Sequence, residues 1–212
     1  LFFHGTKIHR FRGIVLKIRL SSFKNSTFAL NLTMKLQLAD KNFEVFIPKQ
    51  DLQKQVQSVA EQLTQAYASK EVVFLVVLNG AFMFAGDLMK YYQQTCEISF
   101  IKVSSYVGTN STGWVDEIIG LNTNIQGKHV VILEDIVDTG TTIDKVYSLL
   151  NTHQPASIET ASLLFKPEAF VGKHAPKFVG FEIPNKFVVG YGLDYNELGR
   201  NTEDLYQLSD QH

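Results

Sequence analysis

Val130-Val131-Ile132-Leu133-Glu134-Asp135-Ile136-Val137-Asp138-Thr139-Gly140-Thr141-Thr142 carries the most information per residue in this chain. Four apolar residues, three of them β-branched, read as a buried strand. Two adjacent carboxylates follow, then a third at Asp138 and a Thr-Gly-Thr-Thr cluster that begins a helix. Small residues at a helix start expose backbone N–H groups, which suit a phosphate. Carboxylates beside such a site repel an anion, so their presence asks for a reason. Gripping sugar hydroxyls is one, and accepting a proton is another. Helix capping by Asp138 or Thr139 is compatible with both. In open α/β sheets ligands bind beyond the carboxyl ends of the strands, and these residues occupy such a position.

The flanking sequence repeats the pattern of apolar run and helical stripe. Val72-Val73-Phe74-Leu75-Val76-Val77-Leu78 is unbroken and ends at Asn79-Gly80, which predicts a strand buried on both faces in a parallel sheet. Before it, Leu52, Val56, Val59, Ala60, Leu63, Ala66 and Tyr67 recur at helical spacing from Asp51 onward. Further strands are predicted at Lys41–Ile47, Glu97–Val103, 129–133, Ser157–Phe165, 177–181 and 187–189, and helices at 81–92 and 142–151. Residues 104–113 are rich in Ser, Thr, Gly and Asn and read as a loop. The alternation predicts an α/β fold, a central, mostly parallel sheet flanked by helices, with a small accessory lobe.

Composition bounds the function. The 212 residues are 45% apolar and 19% charged, enough for a full core without staples. The single cysteine, Cys96, excludes an intramolecular disulfide and a cysteine zinc site, and predicts a reducing, cytoplasmic setting. No apolar run approaches the ~18 residues of a membrane span. Net charge −1 argues against the whole protein being a nucleic-acid coat, and no nucleic-acid partner is expected for the folded domain. The six histidines show no ligand spacing. Residues 1–33 hold six of the 20 basic residues and none of the 21 acidic ones, which leaves a net charge of −7 from Met34 onward. A basic arm for nucleic acid or lipid, a targeting leader, or a stretch outside the folded domain are the three readings of that segment. The third is favoured here, with the domain at 34–212.

The Glu134–Thr142 stretch resembles the ribosyl-phosphate signature of type I phosphoribosyltransferases. A P-loop is excluded because Trp114 follows Gly108–Gly113 where a lysine is needed. A second segment, Phe181-Glu182-Ile183-Pro184-Asn185-Lys186-Phe187-Val188-Val189-Gly190-Tyr191-Gly192-Leu193-Asp194, continuing to Arg200-Asn201, is similar to the base-binding segment of the hypoxanthine-guanine group of that family. Leu163-Leu164-Phe165-Lys166, Leu78-Asn79-Gly80 and Ser104-Ser105-Tyr106 add to the likeness, which covers most of residues 36–206.

The resemblance implies a reaction and a role for each residue. Ribose 5-phosphate passes from phosphoribosyl diphosphate to N9 of a 6-oxopurine in a magnesium-dependent step of purine salvage, and diphosphate leaves. Asp138, Thr139, Gly140, Thr141 and Thr142 wrap the 5′-phosphate, and Asp138 also accepts the purine ring proton. Glu134 and Asp135 hold the ribose hydroxyls or a magnesium bound to them. Lys166 donates to the 6-oxo group, Phe187 stacks on the purine, and Val188 and Asp194 meet its edge. Asp194 is also placed as a magnesium ligand. Leu78, Asn79 and Gly80, with a cis peptide before Asn79, lie against the diphosphate beside Arg200, under a lid headed by Ser105 and Tyr106. Many relatives carry lysine at position 79, so Asn79 removes a charge there. A homodimer or homotetramer is implied. The same fold also serves non-catalytic sensors of phosphoribosyl diphosphate, which could dispense with Asp138 or Lys166.

Overall fold

The structure, a computed structural model, describes residues 8–11, 14–17, 34–103, 117–119, 121 and 123–209. The elements, in chain order, are β1 (Ile8–Phe11), β2 (Ile14–Lys17), β3 (Met34–Leu38), β4 (Lys41–Ile47), α1 (Lys49–Ala66), β5 (Val72–Val77), α2 (Phe82–Tyr91) and β6 (Glu97–Val103). They continue with β7 (Glu117–Ile119), β8 (His129–Val137), α3 (Thr141–Asn151), β9 (Ser157–Phe165), β10 (Phe178–Glu182), β11 (Val188–Val189) and β12 (Leu205–Leu208).

The main sheet has the order β10-β9-β8-β5-β6-β7. Its first five strands are parallel, and β7 closes one edge antiparallel to β6. The apolar run of β5 explains why helices cover both faces. Val72, Phe74 and Val76 join Leu52, Val56, Leu63, Phe84 and Leu88 of α1 and α2 in one cluster. Val73, Leu75 and Val77 point the other way, to Ile143, Val146 and Leu150 of α3. Period-two alternation divides a continuous apolar run between two cores, and each fully buried aliphatic side chain contributes about 1.5–3 kcal/mol. The chain steps from β5 out to β6, then returns past β5 to β8 and on to β9 and β10. A crevice forms at such a reversal, at the carboxyl ends of the strands.

The accessory lobe is a second sheet of order β1-β2-β3-β4-β12-β11. Leu36, Phe43, Val189 and Tyr206 form its core. Both chain ends build it: Tyr206 of β12 pairs with Val45 of β4, and Ile14 of β2 with Leu36 of β3.

Two differences from the sequence reading have physical causes. Strand β8 does not stop at Leu133 but runs to Val137, because β9 continues to pair with it through Glu134↔Ser162 and Val137↔Phe165. Ladder bonds outweigh the low strand preference of Glu and Asp. The tail after Asn201, unreadable by pattern, becomes β12 because it finds the open edge of β4.

Candidate active site

Several segments meet at the crevice. The first is the end of β8. Glu134 is 8% exposed and Asp135 9%. Burial, reinforced by the neighbouring Asp135 charge, pushes Glu134 well above the ordinary carboxyl range. Asp135 is pushed up to about 6, chiefly by burial. Backbone hydrogen bonds and the Arg200 charge pull it back, while Asp194 pushes it further up. Oε2 of Glu134 has no hydrogen-bond partner. A buried carboxyl oxygen without a partner is costly and marks a place where a hydroxyl or a cation would be welcome.

The turn into α3 comes next. Gly140 has φ +84°, and a Cβ there would fall 2.4 Å from the Phe170 ring. Helix α3 has no side-chain cap hydrogen bond. Thr141 N–H makes a long bond of 3.4 Å to the Thr139 hydroxyl, and the following amides keep their capacity for an anion, favoured further by the helix dipole. Thr139 and Thr141 hydroxyls lie 3.1 Å apart at the same place. From outside, Val171 N–H donates to the Thr139 carbonyl, and Asp144 of α3 accepts from Lys173 N–H, His174 N–H and the His174 ring. Residues 170–174 thus brace the turn, a role that no sequence pattern had signalled.

Lys166 follows the end of β9. It is 7% exposed, and its Nζ donates to Asp138 Oδ2 at 2.7 Å. Asp138 remains 44% exposed in its side chain. The lysine is not the solvated surface residue that strand-end lysines usually are.

The remaining segments join at the opposite end. Leu78–Asn79 is a cis peptide. A Cβ at Gly80 would lie 1.6 Å from Asp135 Oδ2, and one at Gly192 would lie 2.1 Å from the Gly80 carbonyl oxygen. So the β5 turn, the β8 carboxylate and the C-terminal loop are in direct contact, and only glycines permit it. Gly192 has φ +102°, and its carbonyl accepts from Arg200 Nη1 at 2.9 Å. Arg200 also pairs with Asp194 at 2.5 Å, while the other Asp194 oxygen accepts from Glu197 N–H at 2.8 Å.

Phe187 and Val188 enter from the lobe. Val188 is buried, and Phe187 is 48% exposed, with its ring set against Phe43 and Tyr195. A half-exposed ring packed against two others still leaves apolar surface for a planar ligand. Asn79 is exposed. Ser105 and Tyr106 lie outside the described residues.

No group of three or more His, Cys, Asp or Glu that could hold a metal occurs among the described residues. A cation that arrives with a phosphate substrate needs only one or two carboxylates, its other ligands being substrate oxygens and water. Glu134 and Asp135 fit this donor set. Asp194 is engaged with Arg200 and Glu197 and would have to exchange partners.

Residues that sequence reasoning missed anchor the C-terminal loop. The Tyr191 hydroxyl donates to Asp87 Oδ2 at 2.6 Å, and Asp204 Oδ1 accepts from Lys49 N–H at 2.7 Å at the start of α1. The one signal available was Gly190 and Gly192 flanking Tyr191, a mark of unusual backbone.

A buried carboxylate pair, a helix start three residues beyond the strand and a three-way glycine junction thus meet at the reversal of a parallel sheet, as the type I phosphoribosyltransferase class would require. The chain matches the phosphoribosyl transferase domain over residues 48–196 and belongs to that family. Its relatives fall in the hypoxanthine-guanine group. The hypoxanthine-guanine phosphoribosyltransferase of Aquifex aeolicus is 34% identical over 176 residues, covering 82% of this chain and 99% of that one. The Staphylococcus aureus enzyme of the same name is 43% identical over 159 residues, 74% of this chain and 89% of the relative. The crystal structure of a hypoxanthine phosphoribosyltransferase from S. aureus superposes with TM-score 0.74 at 41% identity, covering 78% of this chain and 91% of the other.

Proposed function

We propose that the protein transfers ribose 5-phosphate from phosphoribosyl diphosphate to N9 of hypoxanthine, and of guanine, releasing diphosphate and forming IMP and GMP. The Lys166–Asp138 pair carries this reading. A buried ammonium can only donate and a carboxylate can only accept. Side by side they complement the 6-oxo acceptor and the ring N–H donor of a 6-oxopurine. Adenine offers an amino donor to the ammonium, and a buried mismatch of that kind disfavours it by about 100-fold or more.

Each remaining group then has a task. Asp138 takes the ring proton, and Phe187 and Val188 hold the base. The α3 start, from Thr139 to Thr142, holds the 5′-phosphate. Glu134 and Asp135 hold the ribose hydroxyls or a magnesium bound to them. Bound there with the donor, magnesium would neutralise charge that develops on the departing diphosphate. Leu78, Asn79, Gly80 and Arg200 face that diphosphate, Asp194 contributes to the metal or the purine edge, and Ser105 and Tyr106 head the lid. The enzyme acts as a homodimer or homotetramer in the cytoplasm, without a nucleic-acid or membrane partner. No described helix is long and apolar enough to cross a membrane. Residues 34–212 carry every group of the reaction; of the basic stretch 1–33, residues 8–11 and 14–17 only add β1 and β2 at the edge of the accessory sheet beyond β3, and removal at Met34 leaves activity intact.

The test is nucleotide formation from phosphoribosyl diphosphate and magnesium with hypoxanthine, guanine, xanthine and adenine in parallel, in wild type and Asp138→Asn. Turnover of 6-oxopurines, reduced about 10²–10⁴-fold in the variant, is the expected result. Comparable turnover of adenine would overturn the role of Lys166. Binding of phosphoribosyl diphosphate without turnover would make the protein a sensor.

A further inference from the structure

Tyr191 is the largest fully buried side chain of the C-terminal loop, 2% exposed, yet its backbone has φ +48°. Left-handed backbone is uncommon for a bulky residue and persists where the surroundings over-determine it. What holds it is visible. The phenol donates to Asp87 Oδ2 of α2 at 2.6 Å across 104 residues of sequence. The same oxygen accepts from Gln53 Nε2 of α1 at 2.5 Å, and Asp87 Oδ1 accepts from Lys90 at 2.6 Å. Both helices belong to the main core, so this hydroxyl fastens the loop to the rigid part of the molecule, in addition to the Asp204 bond to Lys49 N–H. The main chain on either side runs directly into the site. Tyr191 N–H donates to the Thr202 carbonyl, Gly192 N–H donates to the Arg200 carbonyl, and the Gly192 carbonyl accepts from the Arg200 guanidinium. Gly192 also abuts the Gly80 carbonyl.

We propose that Tyr191, through its hydrogen bond to Asp87, is a positioning residue for the diphosphate end of the site. It sets the distance between the Gly80 turn and Arg200, so binding of the phosphoribosyl diphosphate donor depends on it more than binding of the purine does. Of the purine contacts, Lys166 and Asp138 hang on β8 and β9, and Phe187 and Val188 are held by β12 and by the Phe43 and Tyr195 rings, which leaves Asp194 as the one that shares the Arg200 end. Unlike a general packing role, this one predicts a selective defect. The proposal rests on the reading of Gly80 and Arg200 as the diphosphate end.

The experiment is steady-state kinetics of Tyr191→Phe, Asp87→Leu, Asp87→Asn and the Tyr191→Phe/Asp87→Leu double variant, with donor and purine varied separately. The first two lose the bond, whereas asparagine keeps an acceptor oxygen for the phenol. The donor KM is expected to rise about three- to tenfold in Tyr191→Phe and Asp87→Leu, the worth of one net hydrogen bond. It should stay within about twofold of wild type in Asp87→Asn, and the double variant should be no worse than either single, as for two halves of one contact. The purine KM should move by less than the donor KM throughout. An unchanged donor KM in Tyr191→Phe overturns the proposal, and so does an equal loss in donor and purine KM. If Asp87→Leu fails to fold, Tyr191→Phe against Asp87→Asn still decides. Arg200→Gln separates the two levels of inference. If it leaves the donor KM unchanged, the assignment of the diphosphate end fails. If it raises that KM while Tyr191→Phe does not, only the positioning role fails.

Discussion

The two ends of the active site are built in opposite ways. The end around Asp138–Thr142 is continuous in sequence: a strand, a turn and the start of α3 supply its amides, hydroxyls and carboxylate within a few residues. The end around Gly80 is an assembly. Gly80 follows β5, Asp135 belongs to β8, and Gly192 and Arg200 come from a loop more than a hundred residues after Gly80. A local site is held by its own backbone geometry. An assembled one is held by whatever fastens the segments to each other, here the glycine contacts and the Tyr191–Asp87 bond. Substitutions should therefore act differently at the two ends.

The sharpest contrast is between two glycines. A Cβ at Gly192 meets a backbone oxygen of a remote segment, at a φ of +102°, and backbone cannot step aside. Gly192→Ala should destabilise the fold by about 3–4 kcal/mol, strain and overlap together, and should cripple donor binding. A Cβ at Gly140 overlaps the edge of the Phe170 side chain and comes within 3.1 Å of the Gly172 Cα, so most of the overlap falls on a side chain. Gly140→Ala should cost about 1–2 kcal/mol, mostly backbone strain. Thermal or denaturant unfolding of both variants checks the order, and a larger loss at Gly140 would break the comparison.

Asp135 lies at the assembled end and gives a dependence on pH. Its carboxyl is raised to about 6 in the fold, first by burial. Between an unfolded carboxyl near 4 and this value the native state binds more protons than the unfolded one, so stability falls as pH rises through that window. The difference of about two pH units is on the order of 2–3 kcal/mol lost by pH 7. In metal-free buffer, Asp135→Asn should therefore unfold later than wild type at pH 8 and show a smaller advantage at pH 4. A wild type more stable than Asp135→Asn at pH 8 would contradict the burial argument. At the small end of the scale, the exposed Lys49–Glu203 ion pair should contribute under about 0.5 kcal/mol, so Glu203→Gln should leave both unfolding and kinetics near wild type.

The sequence by itself determined the parallel α/β class, because unbroken apolar runs such as 72–78 are stable only when both faces are covered. It also determined the local end of the site. A strand, a turn and a helix start lie next to one another in the chain, so Glu134, Asp135, Asp138 and Thr139 to Thr142 could be read together, and the family likeness placed Lys166 and Phe187 with them. Only the tertiary structure decided that Lys166 is buried and bonded to Asp138, that β8 runs on through its carboxylates, and that the tail pairs with β4. It alone brought Tyr191, Asp87, Gly80 and Arg200 into one arrangement. The physical reason is range. Periodicity and turn chemistry act over a few residues, whereas a hydrogen bond spanning 104 residues or a glycine that exists to let two distant backbones touch leaves no periodic trace in the chain.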